Sequence, residues 1–157
     1  MAEQGPPATG THGGHDASLM YTIGRLNQGI RHAMRERLVA WELSVQEYTT
    51  LSVLAARPGL SNARLARRAL VTPQSMIEIL GKLERRQLVS RKPDPRRSLI
   101  LRADLTHAGH SVLAAADPTV AAIQDSLFDG VPQRDLSIAL RAMTSAIPPA
   151  PPSAKAK

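Results

Sequence analysis

The stretch SNARLARRALVTPQSMIEILGKLERRQLVSRKPDPRRSLILR, residues 61–102, decides the fold. Ser61 stands as the cap of a short helix that runs through Leu65, Ala66, Ala69 and Leu70. After the two-residue break Leu70-Val71, Thr72 is an N-cap and Pro73 takes the first helical position, where a missing N–H costs nothing. The helix it opens puts Met76, Leu80 and Leu83 on one face and is expected to end near Arg86. Two helices joined by a tight turn make a helix-turn-helix. Leu88-Val89-Ser90-Arg91 then reads as a strand, Lys92 to Ser98 as a turn holding two prolines, and Leu99-Ile100-Leu101 as the returning strand. A hairpin placed there is a wing, with arginines at its tip.

The same segment holds most of the charge. It contains eleven Lys and Arg against Glu78, Glu84 and Asp94, a surplus of eight. The whole chain is only +7, so the remaining residues sum to −1. One basic segment on a near-neutral body is the electrostatic footprint of a polyanion partner, with a solvated basic face as the plain alternative.

Outward from this segment the chain is helical. Leu19, Ile23, Leu26, Ile30, Met34, Leu38 and Trp41 recur at three and four residues, predicting one long amphipathic helix ending near Ala40. Its narrow stripe suits packing against another chain as well as the domain's own core. Ser44 and Glu47 have capping-box spacing and Leu43 and Tyr48 that of a hydrophobic staple, so a second helix runs from Val45 to Ala56 until Arg57-Pro58-Gly59 stops it. Thr106 caps a fifth helix, with Asp117-Pro118 a candidate kink before the apolar spacing resumes at Val120, Ile123 and Leu127. A sixth runs from Asp135 to Ala146.

Several function classes drop out. No apolar run reaches the ~20 residues of a membrane span. The opening MAEQGPPATGTHGGHDAS has neither a basic n-region nor an apolar stretch, so no secretory signal is expected and the protein is read as cytoplasmic. Without cysteine there are no disulfides, thiolate metal sites or thiol redox sensors. At 157 residues one compact domain is expected, over 18–146, between tails at 1–17 and 147–157 read as disordered. His12 and His15, in the first tail, read as tail rather than as metal ligands.

Four blocks carry a resemblance. They are Leu43-Ser44-x-x-Glu47-Tyr48-x-x-Leu51, Leu65-Ala66-x-x-Ala69-Leu70-Val71-Thr72-Pro73, Leu83-Glu84-Arg85-Arg86-x-Leu88-Val89-x-Arg91 and Leu105-Thr106-x-x-Gly109. In this order and spacing, over residues 19–146, the chain resembles the MarR family of bacterial transcription regulators. The resemblance implies a mainly α fold: a six-helix winged helix-turn-helix with a short two- or three-stranded β-wing. It divides the domain into a reading head, 44–104, and dimerisation helices at 18–43 and 105–146. It also implies a homodimer on a pseudo-palindromic DNA duplex, the fourth helix in the major groove and the wing on the backbone or minor groove. Family members often sense small aromatic or phenolic anions in a cavity between dimer helices and reading head.

Three positions depart from the family pattern. Counted back from Leu105-Thr106, its Asp-Arg-Arg wing tip falls on Arg97-Ser98-Leu99, with the arginines displaced to Arg96 and Arg97. Gln87 replaces the glycine that closes the reading helix and requires a left-handed or altered cap. Glu78 stands where a base is common, and can read a cytosine amino group or weaken nonspecific binding.

The DNA-binding candidates are Ser61, Arg64, Thr72, Gln74, Ser75, Ile77, Glu78, Lys82, Arg96 and Arg97. Gln suits adenine, Ile a thymine methyl, Lys and Arg phosphates, and Ser61 with Arg64 a phosphate at the helix start. Arg91 and Asp94 are expected to pair and hold the wing, or Arg91 to meet DNA. His32 and Tyr48 are the effector-binding candidates, and Trp41 is expected in the core. The leading function is a homodimeric, sequence-specific repressor released by a small ligand, with no cofactor. A winged-helix DNA-binder without ligand response is the alternative. An enzyme is a weaker reading: His107 and His110, i and i+3 on the fifth helix, permit a metal but lack a third ligand. A winged helix used only for protein contacts is a further reading, against which the basic wing argues.

Overall fold

The computed structural model describes residues 18–146, so both expected tails lie outside the described residues. Six helices and three strands follow in the order α1 (Leu19–Leu38), α2 (Val45–Ala56), β1 (Leu60–Ser61), α3 (Asn62–Arg68), α4 (Pro73–Arg85), β2 (Val89–Asp94), β3 (Arg97–Leu105), α5 (His107–Leu127) and α6 (Gln133–Ala146). A single 3-10 turn, Val39–Trp41, extends α1. The sheet is antiparallel in the order β1-β3-β2, so the wing is three-stranded.

Local chemistry sets the helix starts. Ser44 Oγ accepts the Glu47 N–H at 3.2 Å and the Glu47 carboxylate accepts the Ser44 N–H at 2.8 Å, completing the capping box. Thr72 Oγ1 accepts the Ser75 N–H at 3.0 Å, and Thr106 Oγ1 the Gly109 N–H at 3.0 Å. Ser61 holds the cap position of α3 but its side chain makes no capping bond. Its backbone is held instead in the β1–β3 ladder opposite Arg102. At the end of α4, Gln87 is left-handed, with φ 57°. The Leu88 N–H reaches Leu83 O and the Gln87 N–H reaches Glu84 O, each at 2.9 Å, which is a Schellman closure without its glycine.

The core lies under the reading head. Leu38, Leu51, Leu54, Leu65, Met76, Leu80, Leu83 and Val89 are the large side chains most completely buried there. The α1 stripe is buried unevenly. Leu38 is in the core, Met34 and Trp41 pack against it, and Leu19 and Ile23 are exposed. No residue of α6 is buried. Helix α5 runs through Pro118 as one element of 21 residues.

The hairpin differs from its sequence expectation. Strands β2 and β3 are longer than expected, and only Pro95-Arg96 lie between them. The tip sits at Asp94 to Arg97, inside the turn expected over Lys92 to Ser98 and with Arg96 and Arg97 at it, and the strand register shifts between Pro93 and Asp94. Pro93 is tolerated because β2 is an edge strand.

Candidate nucleic-acid interface

Helix α4 presents the expected face. Met76, Leu80 and Leu83 are buried, and Gln74, Ile77, Glu78 and Lys82 are exposed or half-buried at helical spacing on the other side. Thr72 and Ser75 are occupied locally. Besides the cap bond, their hydroxyls lie 2.8 Å apart and hydrogen-bond to each other. Asn62 Nδ2 donates to Pro73 O at 3.1 Å, tying the start of α3 to the start of α4.

The wing tip is built on Asp94, whose side chain is buried. One of its carboxylate oxygens accepts the N–H groups of Arg96, at 2.7 Å, and Arg97, at 3.1 Å. The other takes the Arg102 guanidinium, which also donates to Gly59 O at 2.8 Å. The Arg96 N–H and the Arg102 cation hold the Asp94 carboxyl below the usual carboxylate range. Arg91 does not pair with Asp94. Arg91 reaches back instead to Glu84 on α4, with Nε 3.0 Å from Oε2. Hydrogen bonding to Arg91 lowers the Glu84 carboxyl, and the same bond raises Arg91. Arg86 donates to Glu42 O at 2.7 Å and Trp41 O at 3.1 Å, tying the end of α4 to the α1–α2 junction.

These anchors leave Arg96 and Arg97 exposed. Ser61, Arg64, Arg96 and Arg97 line one hollow of about 410 Å³ together with the occupied pair Asp94 and Arg102. A second hollow of about 400 Å³ places Ser61 beside Ile77 and the strand residues Leu99 and Ile100. Ser61 lines both hollows, so the helix-start and wing candidates and Ile77 of α4 share one continuous surface. Sequence reasoning expected Asp94 to hold the wing but missed the Arg96 and Arg97 N–H groups it closes on and Arg102 as its cation. The signal for the first is local: an Asp ahead of Pro and two further residues is a side-chain-closed turn.

The two effector candidates are apart. Tyr48 lines a cleft of about 440 Å³ between α2 and α5 with Ser52, Leu113, Asp117, Val120 and Gln124. Its hydroxyl donates to Asp117 Oδ1 at 2.8 Å, and burial followed by that bond raises the phenol's pKa. His32 is exposed on α1, pairs with Glu36 at 3.2 Å and does not line this cleft. His107 and His110 are exposed on the first turn of α5, and among the described residues no group of three or more His, Asp or Glu could hold a metal ion. Among them also no helix is long and apolar enough to cross a membrane.

A buried helical core, a short helix, a capped reading helix and a three-stranded wing define a winged helix-turn-helix protein. A family model described as MarR family matches residues 41–97. The HTH-type transcriptional repressor Rv2887 of Mycobacterium tuberculosis is 36% identical over 107 residues, spanning 68% of this chain and 77% of that protein. The crystal structure of a MarR family transcriptional regulator from Silicibacter pomeroyi superposes with a TM-score of 0.75 at 26% identity, covering 84% of this chain and 89% of that one. Rv2887 in complex with salicylic acid superposes with a TM-score of 0.68 at 30% identity, covering 83% and 97%. The chain belongs to the MarR family of transcriptional regulators.

Proposed function

We propose that the chain is a homodimeric, sequence-specific DNA-binding repressor, cytoplasmic and without enzymatic activity, whose hold on DNA a small aromatic or phenolic ligand weakens. The observation that carries it is the surface that joins Ser61, Arg64, Arg96 and Arg97 to Ile77 on α4, a helix whose exposed side also carries Gln74 and Lys82. Arginines position on phosphates, and the outward face of α4 offers groups that read base edges. A second copy is supported by α1 and α6. Leu19 and Met20 on α1 and Ile138, Leu140 and Met143 on α6 are exposed, and apolar helix faces left uncovered in this way suit an interface. In such a dimer two reading helices meet successive major grooves about 34–36 Å apart.

The named relative's complex with salicylic acid supports a small aromatic effector. The α2–α5 cleft around Tyr48 is the site we assign to it. Neither α2 nor α5 contains Lys or Arg, whereas Asp117 lines the cleft. A phenol hydroxyl suits that wall better than a carboxylate, which would need a base from another element. Coupling then requires that the ligand favour a dimer geometry other than the DNA-bound one.

Fluorescence anisotropy with duplexes from the protein's own gene flank tests the reading. We expect saturable binding that weakens steeply with salt, and Arg97→Ala should lower the log–log salt slope by about 0.9 for each phosphate the side chain no longer neutralises. Sequence preference should not change. A monomer indifferent to every duplex at low salt would refute the proposal.

A further inference from the structure

Arg57, Arg64, Arg67 and Arg68 surround a hollow of about 560 Å³ against the buried Leu60. Arg64, Arg67 and Arg68 stand at i, i+3 and i+4 and share one face of α3, while Arg57 closes the end of α2. No carboxylate lines the hollow, and none of the four belongs to an ion pair among the described residues. Helix dipoles favour bases at Arg57, Arg67 and Arg68 one at a time. They do not account for four guanidinium groups around one hollow, where like charges three and four apart repel. The arrangement costs the isolated protein stability and is suited to an anion with several charges.

Position indicates which anion. The hollow shares Arg64 with the one that holds Arg96 and Arg97, so the basic surface continues from the wing across α3 to the end of α2. No residue of α4 lines it. We propose that Arg57, Arg67 and Arg68 clamp the phosphodiester backbone of the duplex beyond the half-site that α4 and the wing address. Guanidinium forks match phosphate oxygens in pairs, and a track with no base-reading side chain contributes affinity without sequence choice. The inference rests on the DNA-binding reading above.

The test compares two duplexes. One is the shortest gene-flank duplex that binds, and the other carries one added helical turn of unrelated sequence at each end. For the wild-type dimer the longer duplex should bind more tightly, with a steeper salt dependence. One extra phosphate contact per subunit adds about 1.8 to the slope, or roughly a tenfold greater loss between about 50 and 200 mM salt. In the triple variant Arg57→Gln, Arg67→Gln, Arg68→Gln the long-to-short affinity ratio should fall towards one. The triple Lys variant, which keeps the point charges, should retain most of it and shows that the fold tolerates change at these positions. A wild-type ratio of one, or an equal loss on both duplexes in the Gln variant, overturns the clamp while leaving DNA binding standing. Binding to neither duplex overturns both. Saturable binding of inorganic pyrophosphate, lost in the Gln variant while the ratio is unchanged, assigns the hollow to a small polyanion and overturns the clamp.

Discussion

Replacing Gly109 with alanine should damage the protein far more than the gain of one methyl group suggests. Gly109 is the third residue of α5 and is buried against the chain that leaves α4. A Cβ there would lie 2.0 Å from Leu88 O, against about 3.4 Å for an ordinary contact, so α5 and Leu88 must separate by about 1.4 Å. Neither is free to move. Leu88 is held by its N–H bond to Leu83 O at 2.9 Å, and its own carbonyl accepts the Thr106 N–H at 3.1 Å. Thr106 Oγ1 also donates to Gln87 O at 2.6 Å. Overpacking against backbone costs about 1–3 kcal/mol, and each strained bond roughly 0.5–1.5 kcal/mol more. The better helix propensity of alanine returns no more than ~1 kcal/mol. The net loss is about 2–4 kcal/mol, or roughly 6–12 °C in melting temperature for a domain of this size. Gly81→Ala on α4 is the matched control. A Cβ there meets only the end of the Arg85 side chain at 3.6 Å, so that variant should melt up to about 3 °C higher. Differential scanning calorimetry at one fixed protein concentration reads both, because a dimer's melting point depends on concentration. If Gly109→Ala melts at or above wild type, the close approach does not constrain α5 and the reasoning is wrong.

Gln87→Gly should raise the unfolding free energy by about 0.5–1 kcal/mol, read as a higher denaturation midpoint at unchanged m, since relief of a left-handed Gln exceeds the added backbone entropy of glycine; a lower midpoint refutes it. Glu84 carries a pH signature. Its folded pKa lies below its unfolded value of about 4.3, so its pairing with Arg91 stabilises fully above that value and is lost as pH falls through the depressed folded pKa. Urea titrations should therefore show a stability gap between wild type and Glu84→Gln near neutrality that closes on acidification, and a gap independent of pH would contradict this. Asp94→Ala releases the Arg96 and Arg97 N–H groups and the Arg102 cation. Duplex affinity should drop about tenfold with a shallower salt slope and unchanged helical circular dichroism, whereas wild-type affinity and slope would show that the tip needs no anchor.

How much of this was legible follows the range of the interactions. The Ser44–Glu47 box, the Thr72-Pro73 start and the Thr106 cap each close within three residues, and all three could be read directly. The buried face of α4 was readable for the same reason, since Met76, Leu80 and Leu83 repeat with the helix period. Gln87 was readable as strain, because a Schellman turn imposes its geometry whatever residue occupies it. Strand β1 was not legible. Two residues have no periodicity, and Leu60-Ser61 become a strand only by pairing with Ala103 and Arg102, far along the chain. The wing turn was readable from its two prolines, but the full length of its strands was not, because cross-strand pairing beyond the apolar residues leaves no mark in composition. Arg86 looks like one more surface base, yet its hydrogen-bond partners are main-chain carbonyls that carry no sequence signal at all.

The basic segment therefore divides by role. Of its eleven bases, Arg86, Arg91 and Arg102 are engaged inside the fold, each joining two parts of it: the end of α4 to the α1–α2 junction, β2 to α4, and β3 to the tip and to the turn before β1. Two of its three acids, Glu84 and Asp94, take part in the same ties. What faces outward is eight bases against Glu78 alone, a surplus of seven where the sequence alone counts eight. Internal pairing thus takes almost nothing from the external charge while fixing where that charge stands. An outward arginine and an engaged one should behave differently on substitution. On the proposed reading, Arg97→Ala should remove one phosphate partner and leave the wing in place. Arg102→Ala leaves the outward arginines themselves intact, but it uncouples Asp94 and Gly59 O, so it should loosen the whole tip and weaken both Arg96 and Arg97 at once.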